Sequence, residues 1–145
     1  MATMNVDYER NRNYLLWVFK GCNVPEVKNG CDDMTGTYLA YLYEHGHAEV
    51  LKPLMTGLNG YNAAGSEFIG GFLSRLVAKN HADFLNAIRD FPVPEQKEIC
   101  YFTGLADGGG MSPADLRQAR KQLGAMEDSV ARRCLQQIEK ANRQE

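Results

Sequence analysis

Apolar residues recur at three- and four-residue intervals along nearly the whole chain, and no stretch alternates strictly between apolar and polar positions. That pattern predicts helices and no sheet. Tyr14, Leu15, Val18 and Phe19 form a first stripe, with Asn5 or Asp7 as its cap and Gly21 as its end. Asp32 and Asp33 open the next helix, where negative charge suits the macrodipole. It carries Met34, Tyr38, Leu39, Tyr41, Leu42 and Tyr43 and ends at Gly46, where a left-handed residue is easiest. A short helix over 47–55 turns Val50, Leu51 and Leu54 inward, and Pro53 is expected to kink or shorten it.

Residues 57–65 read as a loop, and Ser66 is expected to cap a helix carrying Phe68, Ile69, Phe72, Leu73, Leu76 and Val77. Gly70 and Gly71 each weaken that helix by roughly 1 kcal/mol relative to Ala, a cost that close packing can offset. A helix over 81–91 follows, with Phe84, Leu85, Ile88 and Phe91 apolar. Pro94 suits the first position of the next helix, which carries Ile99, Cys100, Phe102 and Leu105. Ser112, Pro113 and Asp115 approximate a capping box before Leu116, Ala119 and Leu123. The last helix has Val130, Cys134, Leu135 and Ile138 on one face. The expected fold is all-α: a compact bundle of seven or eight short helices in one domain over 1–145, with 1–6 and 143–145 frayed. Segments 34–55 and 66–91 both read as helix, turn, helix, which also allows degenerate repetition; an ordinary bundle is favoured.

Composition adds little to this picture. The 145 residues are 44% hydrophobic and 23% charged, ordinary values for a globular chain. No apolar run approaches the ~18 residues of a membrane span. The net charge of −2 divides into −4 over residues 1–112 (9 basic, 13 acidic) and +2 over 113–145 (7 basic, 5 acidic). Arg117, Arg120, Lys121, Arg132, Arg133, Lys140 and Arg143 are interleaved with Glu127, Asp128 and Glu139, which reads as a solvated helix face rather than a nucleic-acid footprint.

Four cysteines, Cys22, Cys31, Cys100 and Cys134, permit three disulfide connectivities. Cys22 and Cys31 enclose a loop with Pro25 and an Asn29-Gly30 turn signal, which makes them the favoured pair. Cys100 and Cys134 fall on apolar helix stripes, and four buried thiols are the alternative. The N-terminal residues lack the apolar stretch of a signal peptide. The expectation is a cytoplasmic protein, or a periplasmic one whose leader has been removed.

Candidate chemistry is sparse. Glu44-His45-Gly46-His47-Ala48-Glu49 straddles a helix break and reads as a solvated turn rather than a zinc site. No cysteine-hydrolase sequence surrounds any thiol, and Ala106-Asp107-Gly108-Gly109-Gly110-Met111 lacks the lysine and spacing of a phosphate loop. No cofactor or metal is implied, and no enzyme activity is expected. The three adjacent glycines are more than a connector needs. They make a backbone thin enough to enter a partner's cleft, with Asp107 and Met111 flanking them as further candidate contacts. The same reading applies more weakly to Asn59, Gly60, Tyr61 and Asn62. Tyr14, Trp17, Tyr38, Tyr41 and Tyr43 are more aromatics than a small core hides, so a homodimer or partner contact is expected there.

In its size, helical patterning, paired cysteines and glycine-bearing Asp107-Gly108-Gly109-Gly110 loop, the chain resembles the all-α immunity proteins of bacterial type VI secretion. These neutralise peptidoglycan amidase effectors. The resemblance implies a periplasmic inhibitor that occupies an amidase's Cys–His active-site cleft. The alternative is a helical adaptor or repeat-like scaffold that binds another protein through a broad surface.

Overall fold

The computed structural model describes residues 33–56, 58 and 63–143. Among these residues the chain forms seven α-helices and no strand, so the fold is all-α. The helices are α1 (Asp33–Glu44), α2 (Leu51–Thr56), α3 (Ala63–Lys79), α4 (His81–Ile88), α5 (Val93–Leu105), α6 (Pro113–Gly124) and α7 (Ser129–Arg143). A 3-10 turn, Ala48–Val50, leads into α2. The chain divides into two compact units, residues 1–68 and 69–145.

In the first unit, α1 packs on the 3-10 turn and on α2. Gly46 takes a φ of 96°, the left-handed region expected of it, and the chain reverses there with the His47 amide donating to the Leu42 carbonyl at 3.0 Å. Leu39, Leu42, Val50, Leu51 and Leu54 are buried as the helical spacing requires. Pro53 does not kink a longer helix. It is the third residue of α2, inside the first turn, where its missing N–H has no partner to lose.

The second unit holds Ile69 to Lys79 of α3 together with α4 to α7. Helix α3 begins at Ala63, earlier than the cap expected at Ser66, because Ala63 and Ala64 are good helix formers and extend it. Ile69, Phe72, Leu73, Leu76 and Val77 of α3 are buried, as are Phe84, Leu85 and Ile88 of α4. Helix α4 stops at Ile88, so Phe91 lies past its end and is half-buried. In α5 the buried face is Gln96, Ile99, Cys100, Thr103 and Gly104. Phe102 and Leu105, expected on that face, are only half-buried. Ser112 caps α6 as expected, its Oγ accepting from the Asp115 amide at 3.2 Å.

The main packing partner of α5 is α7. Gln96 meets Arg133, Cys100 meets Cys134 and Gly104 meets Ile138 and Ala141, so residue numbers rise together along both helices. The two helices are therefore parallel, and α6 supplies the return between them. Gly104 makes this seam tight. A Cβ there would lie 2.9 Å from both the Ile138 Cα and the Ala141 Cβ, closer than carbon atoms approach.

Candidate functional site

The glycine turn, residues 106–111, sits on the C-terminal end of α5 and is built from three sources. The first is backbone conformation. Ala106 has φ 53° and ψ −120°, an arrangement that favours glycine, and Gly108 and Gly110 have φ values of 107° and 89°. The second is local hydrogen bonding. The Leu105 carbonyl accepts from the Gly108 amide at 2.8 Å and from the Gly110 amide at 3.0 Å. Asp107 Oδ1 accepts from the Gly109 amide at 3.1 Å.

The third source is Asn142, near the end of α7. Its Oδ1 accepts from the Met111 amide at 3.0 Å, and its Nδ2 donates to the Gly104 carbonyl at 3.0 Å and the Ile138 carbonyl at 2.8 Å. One side chain thus ties the exit of the turn, the end of α5 and α7 together. Gly70 of α3 closes the other side. A Cβ on it would overlap the Ala106 carbonyl oxygen and stand 2.8 Å from the carbonyl carbon. That close approach is what the glycine permits.

Asp107, Gly108 and Gly109 are exposed, Gly110 is half-buried, and Met111 is buried at 8% exposure. Met111 therefore belongs to the core beneath the turn rather than to a contact surface. The three glycines differ in what the fold asks of them. Gly108 and Gly110 need their positive φ, and a Cβ on Gly110 would also stand 2.9 Å from Asn142 Oδ1. Gly109 has no such φ, and a Cβ on it would meet only Asp107 Oδ1 at 3.5 Å, an ordinary contact. Among the described residues nothing requires glycine at the tip.

Below the turn, the α5–α7 seam carries a disulfide between Cys100 and Cys134, with Cα atoms 5.1 Å apart and both residues buried. This is the pair that sequence spacing favoured less. Its partners are 34 residues apart, and only the parallel pairing of α5 and α7 brings them together. Cys22 and Cys31 lie outside the described residues.

At the other end of the seam, Gln96 is buried. Its Nε2 lies within 3.0–3.3 Å of the carbonyls of Ile88, Arg89 and Phe91, at and just past the end of α4; the Ile88 carbonyl also accepts from the Phe91 amide. Its Oε1 accepts from Arg133 Nη2 at 2.9 Å. Arg133 Nε is buried with no hydrogen-bond partner. Arg89 reaches from the end of α4 to Asp128, and that hydrogen bond holds the Asp128 carboxyl below the ordinary carboxylate range. The Val130 amide, donating to Asp128 Oδ1 at 2.9 Å, adds to the effect.

No family model, curated protein or solved structure matches the chain.

The other sequence candidates fall elsewhere. Asn59, Gly60, Tyr61 and Asn62 lie outside the described residues, as do Tyr14 and Trp17. Tyr41, expected on an exposed aromatic face, is buried at 8% exposure among the inward-facing residues of α1, and Tyr43 is half-buried. His45 stacks on Tyr41 with ring centroids 4.0 Å apart, and its Nδ1 is 2.9 Å from the Tyr41 carbonyl. His47 stands 3.6 Å from Glu49. Among the described residues no three His, Cys, Asp or Glu side chains converge on a metal position, and no helix is long and apolar enough to cross a membrane. Gly70 was legible as a site of close packing, but its partner Ala106 was not, and Gly104 and Asn142 were not evident from the sequence. Asn142 did leave one signal: it continues the Cys134, Ile138 stripe at four-residue spacing and is the polar member of it.

Proposed function

We propose that this protein is a non-enzymatic inhibitor that inserts the turn 107–110 into the active-site cleft of a toxic cell-wall amidase, as an immunity protein. The observation that carries the proposal is the contrast among the three glycines. Gly108 and Gly110 serve the backbone, whereas Gly109, exposed at the tip, is free of any local demand for glycine. A side chain there would cost the fold little and would fill the space in front of the turn. Keeping that space empty makes sense if another protein occupies it. Held by Asn142, Gly70 and the Ser112 cap, the turn is already ordered, so little entropy is lost on docking.

Two further points support the reading. Val93 is a large apolar side chain that is exposed, at 42%, an isolated one on α5 rather than part of an apolar patch with Ile99 or Cys100, which are buried. A buried disulfide suits an oxidising compartment such as the periplasm.

The test captures the partner by pull-down from the source organism and follows hydrolysis of purified peptidoglycan by a captured amidase, with and without an equimolar amount of the protein; capture of no amidase would count against the reading. Suppression of hydrolysis by the parent chain, and at least tenfold weaker inhibition by Gly109→Trp, are expected. Equal inhibition by the two proteins would show the turn to be only a connector. Undiminished hydrolysis in the presence of the parent would exclude the inhibitor reading.

A further inference from the structure

The hydrogen bonds of the turn specify the chemistry of what it can dock into. From Gly108 to Met111 every backbone N–H is already used: Gly108 and Gly110 donate to Leu105, Gly109 to Asp107 and Met111 to Asn142. Of the N–H groups in the turn, only that of Asp107 makes no such bond among the described residues. The carbonyls of Asp107, Gly108, Gly109 and Gly110 accept no hydrogen bond from any described residue. The Asp107 carboxylate has one oxygen fixed by Gly109 and the other without a partner among the described residues. Asp107, Gly108 and Gly109 are exposed. The projecting surface is therefore rich in acceptors, carries one negative charge and has almost nothing to donate.

We infer that the turn fits a cleft lined by N–H donors and bearing positive charge, with the Asp107 carboxylate as the charged anchor. This rests on the reading that the turn enters a partner. Burying four carbonyls and a carboxylate against an apolar or acidic wall would leave each of them unsatisfied, and every such group carries a desolvation penalty. A cleft of backbone amides with an arginine, lysine or protonated imidazole satisfies them all. The Gly109 amide also holds the carboxylate in one orientation, so its charge is presented in a fixed direction at the tip. Glycine at 109 leaves the space beside the Asp107 carboxylate open, where a Cβ would stand 3.5 Å from its Oδ1.

Three proteins separate this inference from the reading beneath it: the parent, Asp107→Asn and Gly109→Trp. The Asp107→Asn side chain keeps an oxygen for the Gly109 amide and so preserves the turn, but it lacks the charge. Each full chain is titrated against a catalytically inactive form of the amidase captured by pull-down, at about 50 mM and about 500 mM salt, where screening lengths differ severalfold. Parent binding is expected to weaken with salt, and Asp107→Asn to bind at least tenfold more weakly with a flatter salt dependence. Gly109→Trp should weaken binding at both salt concentrations. If Gly109→Trp weakens binding while Asp107→Asn and salt do not, the donor-lined, positive cleft is overturned and the insertion reading stands. If neither substitution weakens binding, the insertion reading itself fails. Should Asp107→Asn unfold, the salt dependence of the parent decides: binding unchanged by salt overturns the charged anchor.

Discussion

Breaking the Cys100–Cys134 bridge should destabilise the protein substantially and loosen the turn with it. The bridge spans 34 residues, covering the second half of α5, the turn, all of α6 and the start of α7. For a loop of that size the chain-entropy relation gives about 4 kcal/mol at about 25 °C, because the crosslink removes conformations from the unfolded chain. A loss of that size corresponds to a fall of roughly 8–16 °C in melting temperature for a domain of this length. Both cysteines are buried, so reductant must wait for an opening of the fold. The comparison is made in a Cys22→Ser/Cys31→Ser background, unfolded and refolded with and without dithiothreitol. Urea titration followed by circular dichroism gives the free energies. Amide exchange at Met111, whose N–H is held by Asn142, reports on the turn. Reduced and oxidised forms differing by less than about 1 kcal/mol would refute the entropic account. Equal protection of the Met111 amide in both forms would show that the turn does not depend on the bridge.

Four further outcomes follow from the same contacts. Ala106→Gly should raise stability by about 1 kcal/mol, since relief of a positive φ on a residue with a Cβ outweighs the extra unfolded-state entropy of glycine; an unchanged urea midpoint would contradict this. Gly104→Ala should destabilise by roughly 1–3 kcal/mol despite better helix propensity, because the new methyl meets the Ile138 backbone; calorimetry reads the effect. Gln96→Leu should cost about 2–3 kcal/mol, depriving the Arg89 and Phe91 carbonyls and the Arg133 guanidinium of this partner, and a neutral result in urea titration would contradict it. Asp128→Asn should melt below the parent at neutral pH. Because the folded carboxyl titrates below its unfolded value, that difference should disappear as pH falls through and below about 4, and a gap constant with pH would refute it.

Helix content, the Gly46 reversal and the Ser112 cap were legible because each is set by residues close in sequence. Apolar spacing places Leu39 with Leu42 and Ile69 with Leu73, and a left-handed glycine or a serine followed three residues on by an acid marks an end. Two local readings went astray for local reasons. Ser66 looks like a cap, but the alanines before it extend α3. Pro53 was expected to kink or shorten a helix over 47–55; the α-helix there has six residues, Leu51–Thr56, and Pro53 lies in its first turn, where no hydrogen bond is lost and no kink forms. The candidate turn was legible as three glycines, whereas their division of labour was not. That division depends on φ at 108 and 110 and on Asn142, which arrives from the far end of the second unit. The pairing of Cys100 with Cys134 was hidden for the same reason: spacing ranks cysteines by the loop they close, and the close pair wins unless helix packing is known.

The parallel α5–α7 seam explains why stability and the candidate site share residues. Gln96 with Arg133, Cys100 with Cys134, and Gly104 with Ile138 follow one another at roughly one-turn intervals along α5, and on α7 Cys134, Ile138 and Asn142 are likewise one turn apart. Sliding α7 along α5 by one residue, a rise of about 1.5 Å, would break the Asn142 hydrogen bonds to Gly104 and Met111 together. The crosslink opposes such a slide covalently, the glycine contact by steric fit and the Gln96–Arg133 hydrogen bond by its geometry. The turn is therefore positioned by the register of two helices rather than by its own residues alone. Substitutions in the seam should loosen the turn as they destabilise the fold. Asp107 and Gly109 lie above the Asn142 tie and contribute nothing to the register, so changes there should alter binding with the fold intact. It is this separation that allows a binding defect at the tip to be distinguished from a folding defect beneath it.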